Sequence, residues 1–474
     1  MMEYLEGLFA YLRPAFSRRA AYAWFVTACM GVILRTDDYG VSSFVRALGL
    51  EPGSYLLLLH FFHSQAWSAA GVMERWWEWV ARHEAVTWRL NGRLVFTADH
   101  TKTPKDGRRM PGVVTLRQDS ETASKPSFFR GHHWGCVAVV THAAERWFAT
   151  PLWAALHEGM DGWGNLCEQQ HPKTVRIVGM AQRLAHAMGH AAYLTLDAYF
   201  CAAPVFATAA AVQDGHGQLV HVLTRAKKNI VAYLPPLPKP PNTRGRKPIY
   251  GEKLKLYDLF DCCAEQFITA TARVYDRTET VRYFTSVLLW KPIKGSLRFF
   301  WFETTRGRIL LVTSDLELLP LDALDAYCRR VSIETLFNTL KNTLGAMSYH
   351  FWSKYLQRVS RRPRKNAHTH QLSSCIAATN NTLAAIEKFV NLHLLTLGAL
   401  QLLALHFPTR IRQFADCWLR TPPAHIPSEF IVKSAITALW RNNKCGFAKS
   451  CITALIRSKQ QSPQSDIDFL DTAA

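Results

Sequence analysis

Apolar residues recur every three or four positions through the first 90 residues of the chain. Leu8 and Leu12 show this spacing early, and Trp76 and Val80 repeat it later. A period near 3.6 places such residues on one buried face of a helix. The pattern therefore predicts a helical N-terminal domain over residues 1–90.

After Arg93 the apolar runs become short and strand-like, and two of them end in an acid. These two are Leu94–Asp99 and Ala192–Asp197. A Lys-, Pro- and Gly-rich loop is predicted from Thr101 to about Gly131. The predicted order is three strands, a helix, a strand, a helix and a strand, with the readable segments at 94–99, 135–141, 147–152, 178–191, 192–197 and 219–223. This order is typical of a ribonuclease-H-like fold.

The chain then becomes basic and Pro-rich from Arg225 to about Asn242 before further strand-like runs appear. These runs predict a β-rich insertion over about 225–312, and a helix is predicted over 323–344. A helical C-terminal domain is predicted over 370–460 and is a candidate for dimerisation. The predicted fold class is α/β, with a mixed-sheet catalytic domain over 91–346 between the two helical domains.

The composition indicates a polyanionic partner, because the formal charge is +20 at pH 7. A folded chain this basic suits nucleic acid or an anionic membrane surface. The apolar runs at 21–34 and 390–407 are too short or too interrupted for a bilayer, so we interpret both as buried helices. With 11 Cys and no C-x-x-C pair, a soluble cytoplasmic protein with reduced thiols is expected.

Three widely separated acids have the features of a two-metal phosphoryl-transfer site. Mg²⁺ prefers oxygen ligands, and two ions about 4 Å apart can clamp the attacking and leaving oxygens. Such a site needs carboxylates on rigid elements. Asp99 and Asp197 both follow apolar strands, and Glu334 lies on the predicted 323–344 helix.

That helix carries a second pattern around its acid. Tyr327, Arg330, Glu334 and Lys341 are separated by 3, 4 and 7 positions, which predicts that all four share one side of a continuous helix. An amphipathic surface helix with a few ion pairs is the simpler alternative.

The spacing Tyr-x2-Arg-x3-Glu-x6-Lys resembles the YREK signature of the IS-four family of bacterial insertion-sequence transposases, and residues 327, 330, 334 and 341 match it without a gap. The resemblance spans residues of about 94 to 345. It implies a DDE transposase with a ribonuclease-H-like core and a β-rich insertion. In such an enzyme Asp99, Asp197 and Glu334 hold two Mg²⁺ ions, with Mn²⁺ as an alternative.

The resemblance also implies a cut-and-paste reaction. Water nicks the DNA at each element end, the freed 3′-hydroxyl closes a hairpin on the opposite strand, and after reopening it attacks target DNA. The partners would be terminal inverted repeats and target DNA, with a homodimer in the synaptic complex and no membrane. The N-terminal domain over residues 1–90 is a candidate for binding the DNA ends. The protein would be cytoplasmic and nucleoid-associated when bound to DNA.

Several residues are candidates for DNA contact. Tyr327, Arg330 and Lys341 come from the signature. Trp290, which is followed by Lys291 and Lys294, is predicted to stack on an extruded base during hairpin closure. The remaining candidates are basic residues near Asp99 or in the basic stretch, namely Lys102, Lys105, Arg225, Arg244, Arg246 and Lys247.

Other interpretations remain open. Asp315 is the main rival to the proposed acids, because it also follows a strand-like run, and Asp119, Asp322 and Asp325 are weaker rivals. His132, His133, Cys136 and His142 lie close in sequence, but their spacing fits no closed zinc site. The whole protein could instead be a catalytically silent, transposase-derived DNA-binding protein, or another ribonuclease-H-like nuclease such as a junction resolvase.

Overall fold

The computed structural model describes most of the chain. The described residues are 1–118, 127–157, 172–215, 217–238, 246, 248–360, 373–415, 417–418, 425–442 and 449–460. Predicted DNA contacts Arg244 and Lys247, and the rival acid Asp119, lie outside them.

Helices occupy both ends of the chain and flank a central sheet. The first group is α1 Met2–Leu12, α2 Arg19–Leu34, α3 Ser42–Leu48, α4 Ser54–His63 and α5 Ala69–Ala81. Within the sheet region are α6 Lys173–Met188, α7 Ala203–Ala210, α8 Leu259–Cys262, α9 Pro320–Arg329 and α10 Ser332–Asn338. The last group is α11 Ile376–His406, α12 Pro408–Phe414, α13 Glu429–Arg441 and α14 Cys451–Arg457.

Thirteen strands form one mixed sheet, and β7 Gln213–Asp214 and β8 Gly217–Gln218 form a separate hairpin. The core strands are β1 Arg89–Leu90, β2 Arg93–Pro104, β3 Val114–Arg117, β4 Phe128–Ala143, β5 Arg146–Leu156, β6 Ala192–Leu196 and β9 Val220–Arg225. The remaining strands are β10 Val231–Tyr233, β11 Lys253–Lys255, β12 Ile268–Val274, β13 Arg277–Trp290, β14 Gly295–Thr304 and β15 Gly307–Thr313.

The predicted ribonuclease-H-like order is confirmed. Strands β2, β4 and β5 are antiparallel, and β6 and β9 then add in parallel on the other side of β2, giving the order β9-β6-β2-β4 with β5 beside β4. Helix α6 ends at Gly189, whose φ of 70° is the left-handed conformation that glycine adopts without strain. This stop lets β6 begin three residues later.

The predicted β-rich insertion is also present, and it extends the same sheet. β15 pairs antiparallel with β9, and β14, β13 and β10 continue outward from it. The domain boundaries stay predictions. The described terminal helices share one hydrophobic cluster with the sheet, which runs from Met2 to Ile456.

Two sequence-based boundaries were wrong. The strand carrying Asp99 does not end there but continues to Pro104, and β3 and part of β4 occupy the region predicted as a loop. The reason is pairing, because residues from Phe96 to Pro104 form a continuous ladder with β4. Polar residues in this stretch therefore sit in a sheet.

Helix α11 is long and apolar enough to cross a membrane by length and composition, but 94% of its 18-residue apolar window is buried inside the protein. It packs on α2, α4, α5 and β5. This environment agrees with the prediction of a buried helix, and its apolar surface is covered by its neighbours.

Candidate active site

Asp99 and Asp197 are brought together by the register of β2 and β6. The parallel pairing of these strands matches Thr97 with Thr195, so Asp99 and Asp197 each lie two residues further on. Side chains alternate between the faces of a strand, which puts both acids on the same face. Adjacent parallel strands thus place two carboxylates side by side at the carboxyl end of their pairing.

The apolar residues of the two strands decide which face this is. Val95 and Tyr193 share the acids' parity and pack in a cluster with Leu324 of α9. Phe96 and Leu194 have the opposite parity and belong to the main core, where α6 covers the sheet. Helix α9 therefore covers the face on which the acids lie and leads the chain towards them.

The helix that carries the four signature residues is broken, so the prediction of one continuous helix was wrong. Helix α9 ends at Arg329, α10 begins at Ser332, and the segment Thr339–Thr343 is a π-helix. At the junction the amides of Arg330, Ile333 and Glu334 bond three residues back rather than four. This tighter winding redirects the chain between Tyr327 and Glu334.

The junction is attached to β2 beside Asp99. The Thr97 hydroxyl donates to the Arg330 carbonyl at 3.4 Å. The Arg330 side chain then connects the two elements, because Nη1 lies 3.3 Å from Asp99 Oδ2 and Nη2 lies 2.9 Å from Glu334 Oε1. One guanidinium therefore joins an acid of the sheet to the acid of the helix.

Burial and like charge raise the pKa of Asp99. The pKa rises to about 6, first because the carboxyl is buried and then because Asp197 is close, although Arg330 and the His100 amide oppose the rise. Burial also raises the pKa of Asp197. The site is thus short of positive charge even with Arg330 in place.

This donor set fits Mg²⁺ in chemical kind, because it consists of carboxylate oxygens in a region that favours added positive charge. Within the described parts of the chain, however, no group of three or more His, Cys, Asp or Glu is already spaced to hold one metal ion. Arg330 occupies the position between Asp99 and Glu334, and its pKa is raised by Tyr327, Asp99 and Glu334 against the effect of burial.

Lys341 completes the signature from the π-helical segment. Its Nζ donates to the Lys102 carbonyl on β2 at 3.2 Å, and partial burial lowers its pKa. Lys102 itself is only partly buried, and its Nζ donates to the Arg117 carbonyl at 2.9 Å. Lys341 therefore lies beside β2 three residues beyond Asp99.

Two predicted DNA contacts are too buried for that role. Lys105 is only 6% exposed, and its Nζ donates to the carbonyls of Met347 and Tyr349. Burial lowers its pKa to about 7. Tyr327 is also 6% exposed and packs in the cluster beneath α9. Tyr327 can support Arg330, whose guanidinium lies 6.0 Å from its ring centre, but it presents little surface to DNA.

The base-stacking role predicted for Trp290 does not fit its burial. Trp290 is 7% exposed and packs edge-on against Phe206, with ring centres 5.6 Å apart. The neighbouring Lys291 and Lys294 are exposed. The end of β13 folds onto α7, so the apolar ring turns inward while the charged neighbours face solvent.

Arg225 ends β9, the strand that pairs with β6 on the side away from β2. β6 pairs in parallel with β9 and matches Leu196 with Thr224. Asp197 and Arg225 are each the next residue along the chain, so they lie side by side at the same end of these two strands. The Arg225 side chain is exposed. Burial raises the pKa of Tyr327, and the charges of Arg330 and then Arg225 oppose that rise. Arg246 is exposed as well.

Among the described rival acids, Asp315 and Asp325 have partners of their own. Asp315 accepts from the Tyr193 hydroxyl at 2.5 Å and from the Glu317 amide at 2.9 Å. It follows β15, which runs antiparallel to β9, and so lies at the opposite end of the sheet from Asp197. Asp325 pairs with Arg329 at 2.6 Å. Burial raises the pKa of Asp322.

A histidine cluster behind Asp99 was not predicted as a unit. His100 Nε2 lies 3.0 Å from His157 Nδ1, and the His100 and His133 ring centres are 4.7 Å apart. His132 bonds elsewhere, to the Tyr349 hydroxyl at 2.6 Å. The sequence signals were His133, within the group considered for zinc, and His100 directly after Asp99, which strand alternation places on the other face.

The comparison with known proteins agrees with this geometry. No curated protein matches the sequence. The DDE superfamily endonuclease family matches residues 11–282, which is more than half of the chain. The matched range contains Asp99 and Asp197 and ends before Glu334. The chain belongs to the DDE superfamily endonuclease family.

Proposed function

We propose that the protein is a DNA transposase that cuts and joins DNA strands at Asp99, Asp197 and Glu334. The observation that carries the proposal is that Asp99 on β2 and Asp197 directly after β6 each lie two residues beyond the paired Thr97 and Thr195. Glu334 is linked to Asp99 through Arg330. The family match supports nuclease chemistry on DNA. The YREK spacing supports the insertion-sequence subclass.

The three acids would hold two Mg²⁺ ions, with Mn²⁺ as an alternative. Bound there, the ions would stabilise charge on the attacking and leaving oxygens of a phosphoryl transfer. The family's chemistry implies a divalent ion without naming it, so the choice of Mg²⁺ rests on the carboxylate donor set.

The chain's own cations have separate tasks in this proposal. Arg330 holds Asp99 and Glu334 in fixed relation and, 14% exposed in its side chain, can turn towards a phosphate at the site. Lys341 lies beside β2 and would bind a phosphate further along the strand. Arg225 would bind DNA on the far side of Asp197. Together they would orient the scissile phosphate over the acids.

The finer features of the proposal follow from the signature resemblance. They are terminal inverted repeats as substrate, a hairpin intermediate, a homodimer that pairs two ends, and a cytoplasmic protein that binds the nucleoid. None requires a covalent protein–DNA bond, because water and the freed 3′-hydroxyl are the nucleophiles and the 3′-oxygen leaves as a hydroxyl.

The test is a plasmid-nicking assay with Mg²⁺ or Mn²⁺. We expect Asp99→Asn, Asp197→Asn and Glu334→Gln each to abolish nicking while DNA binding in EDTA stays within a few-fold of wild type. Asp315→Asn is the matched control, because this acid lies at the other end of the sheet and should leave nicking intact. Normal nicking by any of the first three variants would remove that residue from the site.

Joining separates the transposase from the alternatives. Duplexes that carry the DNA flanking the gene and end in a free 3′-hydroxyl should be joined to a target plasmid by the wild-type protein. Cutting without joining would favour a resolvase-like nuclease. DNA binding with neither reaction would favour a catalytically silent DNA-binding protein.

A further inference from the structure

A second solvent-facing feature is formed where the chain after the signature runs past the end of β2. Residues 349 to 353 alternate in burial, with Tyr349, Phe351 and Ser353 inside and His350 and Trp352 outside. Tyr349 and Phe351 both pack on Phe389 of α11. The alternation of an extended segment therefore turns His350 and Trp352 towards solvent from a fixed base.

Backbone contacts hold this segment against the residues that follow β2. The Ser353 amide donates to the Arg109 carbonyl at 3.0 Å, and the Val359 amide donates to the Arg108 carbonyl at 3.1 Å. Lys105 ties the same segment from below through the Met347 and Tyr349 carbonyls. The feature is thus built on rigid neighbours.

Between these two stretches lies an open cleft of about 600 Å³, which we call the Trp352 cleft; the residues used here are Asp106, Arg108, Arg109, His350, Trp352 and Arg358. Its size falls in the range of small-ligand sites. Three arginines against one acid make the cleft strongly basic. Trp352 is 62% exposed, which leaves an aromatic ring available to a ligand.

An exposed aromatic ring among arginines suits an unpaired nucleotide. Bases stack on aromatic rings with little regard to sequence, while Arg binds the neighbouring phosphates. A base inside a duplex is already stacked on both faces and cannot use the ring. The combination therefore favours single-stranded over double-stranded DNA.

The cleft is separate from the acids. Strand β2 continues from Asp99 to Pro104 before the cleft begins, and five strand residues span roughly 17 Å. A ligand in the cleft would be another part of the DNA strand rather than the reacting phosphate.

We propose that the Trp352 cleft binds an unpaired nucleotide of single-stranded DNA, with the base on Trp352 and the phosphates on Arg108, Arg109 and Arg358. The choice of DNA rests on the proposed function. The proposed stacking and phosphate contacts rest on the exposed Trp352 ring and the three arginines of the cleft.

The test is fluorescence anisotropy of the full chain with fluorescein-labelled oligo(dT) of 12 nucleotides and with a duplex of equal length, both in EDTA. Trp352→Ala should weaken oligo(dT) binding roughly 5- to 100-fold and leave duplex binding within about twofold. Trp352→Phe should retain most of the affinity. Arg358→Gln should lower the salt slope for oligo(dT) by about 0.7.

Trp418→Ala is the matched control, because Trp418 is 85% exposed and lies outside the cleft. It should bind oligo(dT) as wild type does. Equal loss in Trp352→Ala and Trp418→Ala, equal loss of duplex binding, or equal competition by poly-glutamate at the same charge would each overturn the proposal.

Plasmid nicking in Mg²⁺ keeps the two proposals distinguishable. If Trp352→Ala nicks plasmid and binds oligo(dT) as wild type does, the proposed nucleotide site is wrong and the transposase proposal is unaffected. If oligo(dT) binding depends on Trp352 but the wild-type protein does not nick DNA, the nucleotide site is supported and the transposase proposal is wrong.

Discussion

Arg330 lies 3.3 Å from Asp99, between Nη1 and Oδ2, although the two residues are 231 positions apart. The same guanidinium reaches Glu334 at 2.9 Å. Arg330 therefore supplies the positive charge among the acids of the site. A bound divalent cation would share those carboxylates and weaken the hold on Arg330.

The first prediction concerns when Arg330 contacts DNA. In EDTA, Arg330 is paired with Asp99 and Glu334, so Arg330→Ala should leave the salt slope of DNA binding unchanged. In Ca²⁺, which binds carboxylates, the freed guanidinium should neutralise one phosphate, and the variant's slope should be smaller than that of wild type by about 0.9. Anisotropy titrations at several salt concentrations measure this, and the same slope difference with and without Ca²⁺ would contradict it.

The second prediction concerns pH and Asp99. Its raised pKa means that the folded protein prefers the protonated form, so this contribution to stability is present below about pH 4 and lost as pH rises through about 6. Asp99→Asn mimics the protonated form. Without metal it should raise the free energy of unfolding by up to about 3 kcal/mol at pH 8 and leave it unchanged at pH 4.

Urea denaturation at both pH values checks this expectation. Asp261→Asn is a control of opposite sign, because the Arg308 hydrogen bond lowers the pKa of exposed Asp261. The free energy of unfolding of Asp261→Asn should therefore not rise at pH 8. If Asp99→Asn changed the free energy of unfolding equally at both pH values, the pKa of Asp99 would not be raised in the folded protein.

The third prediction concerns Lys341. Its Nζ lies beside β2 with one carbonyl partner, the Lys102 oxygen, so it can turn to a phosphate without breaking an ion pair. Lys341→Ala should lower the salt slope of duplex binding by about 0.9 in EDTA as well as in Ca²⁺. Lys253→Ala is the matched control. Lys253 is exposed on β11, which is separated by six strands from β2, the strand beside Lys341. Unchanged slopes in Lys341→Ala would assign this lysine to structure.

The fourth prediction concerns Trp290. Because this ring is buried against Phe206, Trp290→Ala should lower the free energy of unfolding by about 3–5 kcal/mol. Trp301→Ala, which removes another buried Trp of the same region, should cost a similar amount. Urea denaturation measures both. A stable Trp290→Ala protein that nicks normally but fails only in hairpin closure would restore the stacking role.

Local patterns in the sequence predicted much of the fold. Strand and helix periods gave the order of the core from β2 to β9. The apolar runs before Asp99 and Asp197 placed the first acid on a strand and the second directly after one. Pairing of β2 with β6 then needed only the usual parallel register. These predictions succeed because the alternation of apolar and polar side chains is visible within a few consecutive residues.

The lengths of elements were predicted less well. The residues from Thr101 to Pro104 were predicted as the start of a loop because the stretch that they begin is rich in Lys, Pro and Gly. Their backbone is paired with β4 all the same. The signature helix likewise breaks at Arg330, where the junction is attached to β2 by the distant Thr97.

The sequence by itself determined the fold class, the family-like spacing of Tyr327, Arg330, Glu334 and Lys341, and the need for a polyanionic partner. Only the tertiary structure decided that Arg330 joins Asp99 to Glu334, that Lys105 and Trp290 are buried, and that Trp352 is exposed beside arginines. The physical reason is that charge pairing and burial depend on partners far away along the chain. Periodicity records which face of an element is apolar, but not what finally covers it.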